Sequence, residues 1–259
     1  MRDPAESPPS FPLTDPAAAQ RIVEDVEGWL TDGQVALLHE SARAVPDTGR
    51  IVEIGSFRGR STIVLAASAP TSAQFVAIDP HAGNDRGPQE LSGYEAEAAD
   101  DNAVFESNLR DAGVRERVRH VRASSDDAVD EVTGEIDLLF IDGAHRFGPA
   151  RADIRTWGAR VVPGGRMLIH DSFASVGVTL AQVTELFTST AWSYEGRSSS
   201  LTCYRRVDLD TRGRVRSLLR QVAELPWFAR NVVVKALILA KLGRLTRYLG
   251  HPDPDVWPH

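Results

Sequence analysis

The segments LLFIDGAH (residues 138–145) and PGGRMLIHDSF (163–173) each carry an apolar run into an aspartate, Asp142 in the first and Asp171 in the second. Two earlier segments share the layout. RIVEIGSFRGRST (50–62) passes through Glu53 into Gly55, and FVAIDPHAG (75–83) ends its run at Asp79. Short, continuous apolar strands are buried on both faces, which is the habit of a parallel sheet covered by helices. Such a sheet offers ligands the carboxyl ends of its strands. Two carboxylates on that edge, with His145 and His170 beside them, point to chemistry as well as binding.

Working outward from these segments, strand and helix patterns alternate. Strands are expected at 50–54, 74–79, 118–122, 136–141 and 165–170. Helices are expected near 61–69, 96–112, 148–160 and 176–188, with a short one near 126–132. This alternation specifies an α/β chain with a Rossmann-like, doubly wound, mostly parallel sheet. WSYEG (192–196) and LTCYRRV (201–207) lie close enough to pair as a hairpin. Residues 81–104 form a long, polar, acidic connection of the length expected for a lid, a binding loop or a disordered segment.

The expected organisation is a flexible, Pro/Ser-rich N-terminus (1–14), a helical lead-in (15–49), a catalytic domain (50–207) and a basic helical extension (208–259). Asp15-Pro16 reads as an N-cap followed by proline in the first turn. Ile22, Val23, Val26, Trp29 and Leu30 follow helical spacing, with Trp29 read as core, and a second helix is expected from Asp32 to Ala44. In the extension, helices are expected at roughly 211–224 and 228–249. Arg230, Lys241, Arg244 and Arg247 cluster on the wheel of the second, while Lys235 falls elsewhere. Packing against the body or a second subunit is the favoured reading, with peripheral membrane-surface contact as the alternative.

Composition narrows the classes. The 259 residues carry a net charge of −7, but residues 205–259 hold 11 Lys/Arg against 5 Asp/Glu, leaving −13 on residues 1–204. An acidic body repels nucleic-acid phosphate, so nucleic acid is not expected as a partner. A lone cysteine, Cys203, fits a reducing compartment. The opening residues lack a secretory pattern and no apolar stretch reaches spanning length, so the expected location is the cytoplasm.

The turn after the first strand has its glycines at 55 and 59, not the G-x-G-x-x-G of dinucleotide sites. Gly55 allows a sharp exit from the strand, and Gly59 allows close approach before the helix. Glu53 places a negative charge beneath the turn, which disfavours a pyrophosphate and favours a ligand bearing a cationic amino group, as S-adenosylmethionine does. Gly55, Ser56, Gly59 and Ser61 are thus candidate cofactor residues alongside Glu53. Asp79 lies where an acid can bind ribose hydroxyls, or it shapes the turn before Pro80. Ser124, in VRASSDD (121–127), is either an adenine contact or a helix N-cap.

The order EIGSFRGRST, FVAIDPHAG, VRASSDD, LLFIDGAHRFGPARADIRTW and PGGRMLIHDSF resembles the class I S-adenosylmethionine-dependent methyltransferases. It is similar in particular to the metal-dependent O-methyltransferases of sugars and natural products. The resemblance covers roughly residues 50–207 and is most specific from FIDGAH to HDSF. It implies a seven-stranded sheet whose last strand is antiparallel, in agreement with the late hairpin, and S-adenosylmethionine as cofactor.

Within that resemblance, Asp142 and Asp171 take the place of acids that bind a metal, and Mg²⁺ suits few carboxylates supplemented by water and substrate oxygens. Asp142 also lies on the cofactor side. Ser172 follows Asp171 where some relatives carry a further acid or amide, so a third ligand is not assigned. His145 is the candidate general base; the alternatives are a metal ligand or a group that orients Asp142. His170 is expected to point away from Asp171 by strand alternation and to be structural, with substrate contact as the alternative. His81 and Tyr94 are candidate substrate contacts from the long connection. Arg146 either shapes the acceptor pocket or starts the next helix. Trp157 and Ile154 are read as core. The expected acceptor is a small molecule or oligosaccharide, with a methylmannoside among the options, and a homodimer is expected through the apolar tail. Two rival readings are an NAD-dependent oxidoreductase, disfavoured by the glycine spacing, and a non-catalytic module that keeps the cleft.

Overall fold

The computed structural model describes residues 10–82 and 100–251. Seven strands form one sheet: β1 (Arg50–Ile54), β2 (Gln74–Ile78), β3 (Val118–Val121), β4 (Ile136–Ile141), β5 (Val161–Ile169), β6 (Trp192–Ser198) and β7 (Leu201–Arg206), in the order β3-β2-β1-β4-β5-β7-β6. The pairs among β1 to β5 are parallel, and β7 runs antiparallel to both β5 and β6. The chain winds outward from β1 to β3, then crosses to β4 on the other side of β1. The crevice between the ends of β1 and β4 is therefore the topological switch point, where open α/β sheets bind ligands.

The lead-in helices are α1 (Pro16–Ile22) and α2 (Asp32–Arg43); α3 (Arg60–Ser68), α4 (Asp101–Asp111), α5 (Phe147–Thr156) and α6 (Val176–Glu185) follow within the sheet region. Alternation along β1 sends Ile51 to the layer shared with Leu38, Leu65 and Phe105, and Val52 to the layer shared with Leu139, Ile154 and Trp157. Both faces of the sheet are thus dry. Leu38 is fully buried between α2 and the sheet, so truncation to alanine there costs on the order of 2–5 kcal/mol.

The lead-in begins as its sequence dictates, with the Asp15 carboxylate accepting from Ala17 N–H. It then departs from the expected spacing. Helix α1 stops at Ile22, Gly28 adopts φ +155°, and Trp29 is 60 % exposed rather than core. Its ring lies 5.3 Å from that of Phe57. Helix α2 starts with a full capping box, in which Thr31 Oγ1 accepts from Gln34 N–H and Gln34 Oε1 accepts from Thr31 N–H. Strand β5 begins at Val161, earlier than expected, because the chain carries Pro163 and Gly164 through the irregular register between Ile136 and Leu138.

The extension contains α7 (Thr211–Val222) and α8 (Leu225–Leu239). Helix α7 docks on the outer strands: Tyr194 N–H donates to Ser217 Oγ, Tyr204 Oη to Gln221 Oε1, and Tyr194 Oη to Glu224 Oε1. Helix α8 docks through buried Asn231, whose amide donates to the Phe173 carbonyl at 3.1 Å. The second helix is shorter than expected. It ends at Leu239, Lys241 takes φ +59°, and residues Gly243–Leu249 wind into a 3-10 helix. No helix among the described residues is long and apolar enough to cross a membrane.

Candidate active site

The turn after β1 is held by Asp79, at the end of β2. Its Oδ2 accepts from Ser56 N–H at 2.7 Å and Phe57 N–H at 2.8 Å, while Oδ1 accepts from His81 N–H at 2.7 Å. Three backbone donors thus occupy a carboxylate that the sequence offers equally to ribose. Each is a charge-assisted bond, stronger than its neutral counterpart, so the turn is preorganised. Gly55 takes φ +83°, and a Cβ on it would overlap the Asp142 carbonyl oxygen. The two halves of the cleft therefore meet backbone to backbone, with Asp142 N–H donating to Ile54 O at 2.8 Å. Gly59 caps α3 with φ +89°, and a Cβ there would press on Leu109 and Phe105. Its freedom serves helix packing at this turn.

Glu53 lies fully buried beneath this turn, accepting from Ser61 Oγ and Thr62 Oγ1 at 2.5 Å each. Burial pushes its carboxyl up to about 8, against the two hydroxyl donors. The negative charge expected at this position is accordingly suppressed near neutral pH while no cation lies above it. Thr62 was not singled out in the sequence, although its place after Ser61 in the first turn of α3 brings it to the same carboxyl. Ser124 Oγ donates to Asp127 Oδ2 at 2.7 Å and accepts from Asp127 N–H, so its visible bonds are those of a turn cap.

His81 does not line the mouth of the cleft, where it was expected. Its N–H is drawn to Asp79, its φ is +47°, and its ring is buried against Phe105 and His120. Its Nε2 donates to the Phe57 carbonyl at 2.8 Å. The side chain is thus a buried brace of the glycine turn. Tyr94 lies outside the described residues.

Across the cleft, Asp142, His170 and Asp171 converge, with one ligand atom of each within 4.8 Å of the others. His170 Nδ1 lies 3.0 Å from Asp142 Oδ1 and 3.9 Å from Asp171 Oδ1, and His145 Nε2 lies 2.9 Å from Asp171 Oδ2. The expected outward orientation of His170 is corrected here. Strand β5 ends at Ile169 and Asp171 takes φ +54°, so the period of two does not extend to this pair. Asp171 uses one oxygen toward His145 and the other toward Asp142 and His170. Burial opposes charge on both imidazoles, but the adjacent carboxylates outweigh it and raise both proton affinities.

His170 is positioned from the lead-in. Buried Gln34 Nε2 sits 3.3 Å from His170 Nε2 and 3.1 Å from Ser200 Oγ. Gln34 was missed because it is polar in an amphipathic helix, yet the T-x-x-Q spacing of its capping box is a readable signal. His145 is held by a close approach of α6. Ser175 Oγ donates to the His145 carbonyl at 3.3 Å, and a Cβ on Gly177 would overlap that same oxygen. Arg146 is the N-cap residue of α5, which begins at Phe147. Trp157 and Ile154 are buried as expected, and Asp153, buried in the same helix, has its carboxyl pushed up to about 7 by that burial. Lys235 of α8 faces the site as well: burial lowers its proton affinity and the Asp171 carboxylate partly restores it.

Residues 52–172 match the family described as methyltransferase domain. Among solved structures, the fold is similar to that of cofactor-bound Rv0187 from MTB, 20 % identical with a TM-score of 0.54 over 74 % of this chain and 89 % of the other. It is similar to the S-adenosylhomocysteine-bound methyltransferase PaMTH1 of Podospora anserina, 16 % identical with a TM-score of 0.55 over 74 % and 88 %. An O-methyltransferase from Bacillus cereus in complex with S-adenosylhomocysteine is 15 % identical, with a TM-score of 0.50 over 76 % and 93 %.

Proposed function

We propose that residues 52–172, which match the family described as methyltransferase domain, use S-adenosylmethionine to methylate a hydroxyl oxygen. The observation that carries this reading is the opposition, across one cleft, of the Glu53–Gly55 turn and the Asp142–His170–Asp171–His145 cluster. The first half suits a sulfonium cofactor with a cationic amino group. Glu53, Gly55, Ser56, Gly59, Ser61, Asp79, Ser124 and Asp142 are the proposed cofactor residues, several of them acting by shaping the turn. The second half suits a nucleophile that must lose a proton.

S-adenosylmethionine arrives activated, so the protein's part is placement and proton handling. His145 is proposed to take the proton of the acceptor hydroxyl, and Asp171, 2.9 Å from its Nε2, stabilises the imidazolium. The oxygen attacks the methyl carbon in line as the carbon–sulfur bond breaks. The products are a methyl ether and S-adenosylhomocysteine, and the proton leaves His145 for solvent. Gln34 faces the ring nitrogen of His170 remote from the cluster, which leaves the Nδ1 side toward Asp142.

Asp142 and Asp171 would hold a hard divalent cation, because one ligand atom of each, together with one of His170, lies within 4.8 Å of the others, and such an ion takes its remaining ligands from water and substrate oxygens. Mg²⁺ held there would acidify a bound hydroxyl. The proposed acceptor is a sugar, an oligosaccharide or a glycosylated metabolite, a methylmannoside among them. The resemblance of FIDGAH through HDSF to sugar O-methyltransferases supports that class, as does a wall of carboxylates and imidazoles suited to several hydroxyls. Arg146 and His170 are proposed to border the acceptor.

Calorimetric titration with S-adenosylhomocysteine tests the cofactor half. Saturable heat is expected, and no heat at millimolar ligand would remove the reading.

A further inference from the structure

Every exposed residue from Leu225 to Ala240 is apolar. Val232 (36 %), Val233 (48 %) and Leu239 (69 %) are the largest. The solvent side of a helix in a water-soluble protein is normally its polar side; here Asn231 and Lys235 turn to the body and the outer side carries the hydrocarbon.

The 3-10 helix Gly243–Leu249 extends this surface in an ordered way, since residues three apart eclipse in that geometry. Thr246 is buried, with Gly243 and Leu249 half-buried beside it. A second stripe holds Arg244 and Arg247, preceded by Lys241, all exposed. A third holds Leu245 and Tyr248, preceded by Leu242, at 45 %, 73 % and 51 % exposure. Apolar and cationic side chains therefore stand side by side on one outer surface. No aspartate or glutamate occurs between Leu225 and Pro252.

We propose that this surface docks the protein on an anionic lipid bilayer. The outer face of α8 and Leu242, Leu245 and Tyr248 enter the headgroup boundary, while Lys241, Arg244 and Arg247 meet lipid phosphates. Charge complementarity selects this occupant over a second copy. An isologous pair would lay the acid-free strip on itself, giving its cations no carboxylate, whereas an anionic leaflet supplies a partner for each. The helix is too short to span, so the contact is peripheral.

Flotation of the full-length protein on vesicles tests this. On vesicles of phosphatidylcholine with about one-third phosphatidylglycerol, the protein is expected to float at low salt and to sediment at high salt. On pure phosphatidylcholine it should stay at the bottom. Arg244→Gln and Arg247→Gln should each weaken partition roughly fivefold, and Leu239→Glu with Leu245→Glu should abolish it. All four should leave circular dichroism and S-adenosylhomocysteine binding intact, which separates lost docking from lost fold. Failure to float on either vesicle, or equal flotation on both, overturns the proposal. So does a dimer in lipid-free solution that Leu239→Glu splits into monomers, which would give the face to a second copy.

Discussion

The Gln34 amide donates toward Nε2 of His170 at 3.3 Å, while its own carbonyl oxygen accepts Thr31 N–H at 2.8 Å. A backbone N–H cannot accept, so the capping box fixes which end of the amide meets the imidazole. A helix cap in the lead-in thereby sets the hydrogen bonding of a ring 136 residues away, and through it the Asp142 carboxylate. Gln34→Glu keeps an acceptor for Thr31 but turns the donor facing His170 into an anion. The proton affinity of His170 should rise by roughly tenfold or more, with stability changed by less than about 1 kcal/mol through the cap. Nitrogen-detected NMR titration of the imidazole reads this directly; an unchanged or lowered affinity would contradict the relay.

Glu53 gives stability a pH slope of definite sign. Its carboxyl titrates near 8 when folded, from an ordinary value of 4.5, so between these values the folded chain holds a proton that the unfolded chain has lost. Stability is therefore fullest below pH 4.5 as far as this group is concerned, and falls as pH rises toward 8. The slope within the window is on the order of 1.4 kcal/mol per pH unit. Urea unfolding across it should show the decline, and Glu53→Gln should flatten it.

The same burial couples cofactor binding to proton release. A cationic ligand above Glu53 favours the ionised carboxyl, so S-adenosylhomocysteine should bind more tightly as pH rises toward 8. Calorimetry in buffers of different ionisation enthalpy should count a released proton in wild type and lose it in Glu53→Gln.

Gly177 sets a helix preference against a steric limit. In an open helix, alanine is favoured over glycine by about 1 kcal/mol. Here the added Cβ meets the His145 carbonyl, which cannot yield without moving the proposed base. Gly177→Ala should therefore lower both thermal stability and methyl transfer. A gain in stability with full turnover would show that the loop accommodates the methyl.

The sheet was legible because β1, β2 and β4 are short, mainly apolar runs that lead into Gly55, Asp79 and Asp142 at the carboxyl edge. Asp142, Asp171 and His145 were legible for the same reason. The His170 orientation was not, because one left-handed residue, Asp171, cancels strand alternation without leaving a glycine in the sequence. The burial of His81 was not legible because it follows from the turn geometry around the Asp79 carboxylate, which residue type does not encode. Trp29 read as core because hydrophobic spacing continued past Ile22, where the helix had already ended. Lys235 lies near enough to Asp171 to feel its charge, and Asn231, one turn earlier, anchors α8 to the Phe173 carbonyl, a contact with no local signature.

Single-turnover transfer from methyl-labelled S-adenosylmethionine to a panel of sugar and glycoside acceptors tests the proposed role of the His145–Asp171 pair in methyl transfer to oxygen. Wild type should place the label in a methyl ether, and His145→Ala should slow that step by about 10²–10⁴ while S-adenosylhomocysteine still binds. Label transferred at the wild-type rate by His145→Ala, or recovered on nitrogen or carbon instead of oxygen, would rule out O-methylation through His145.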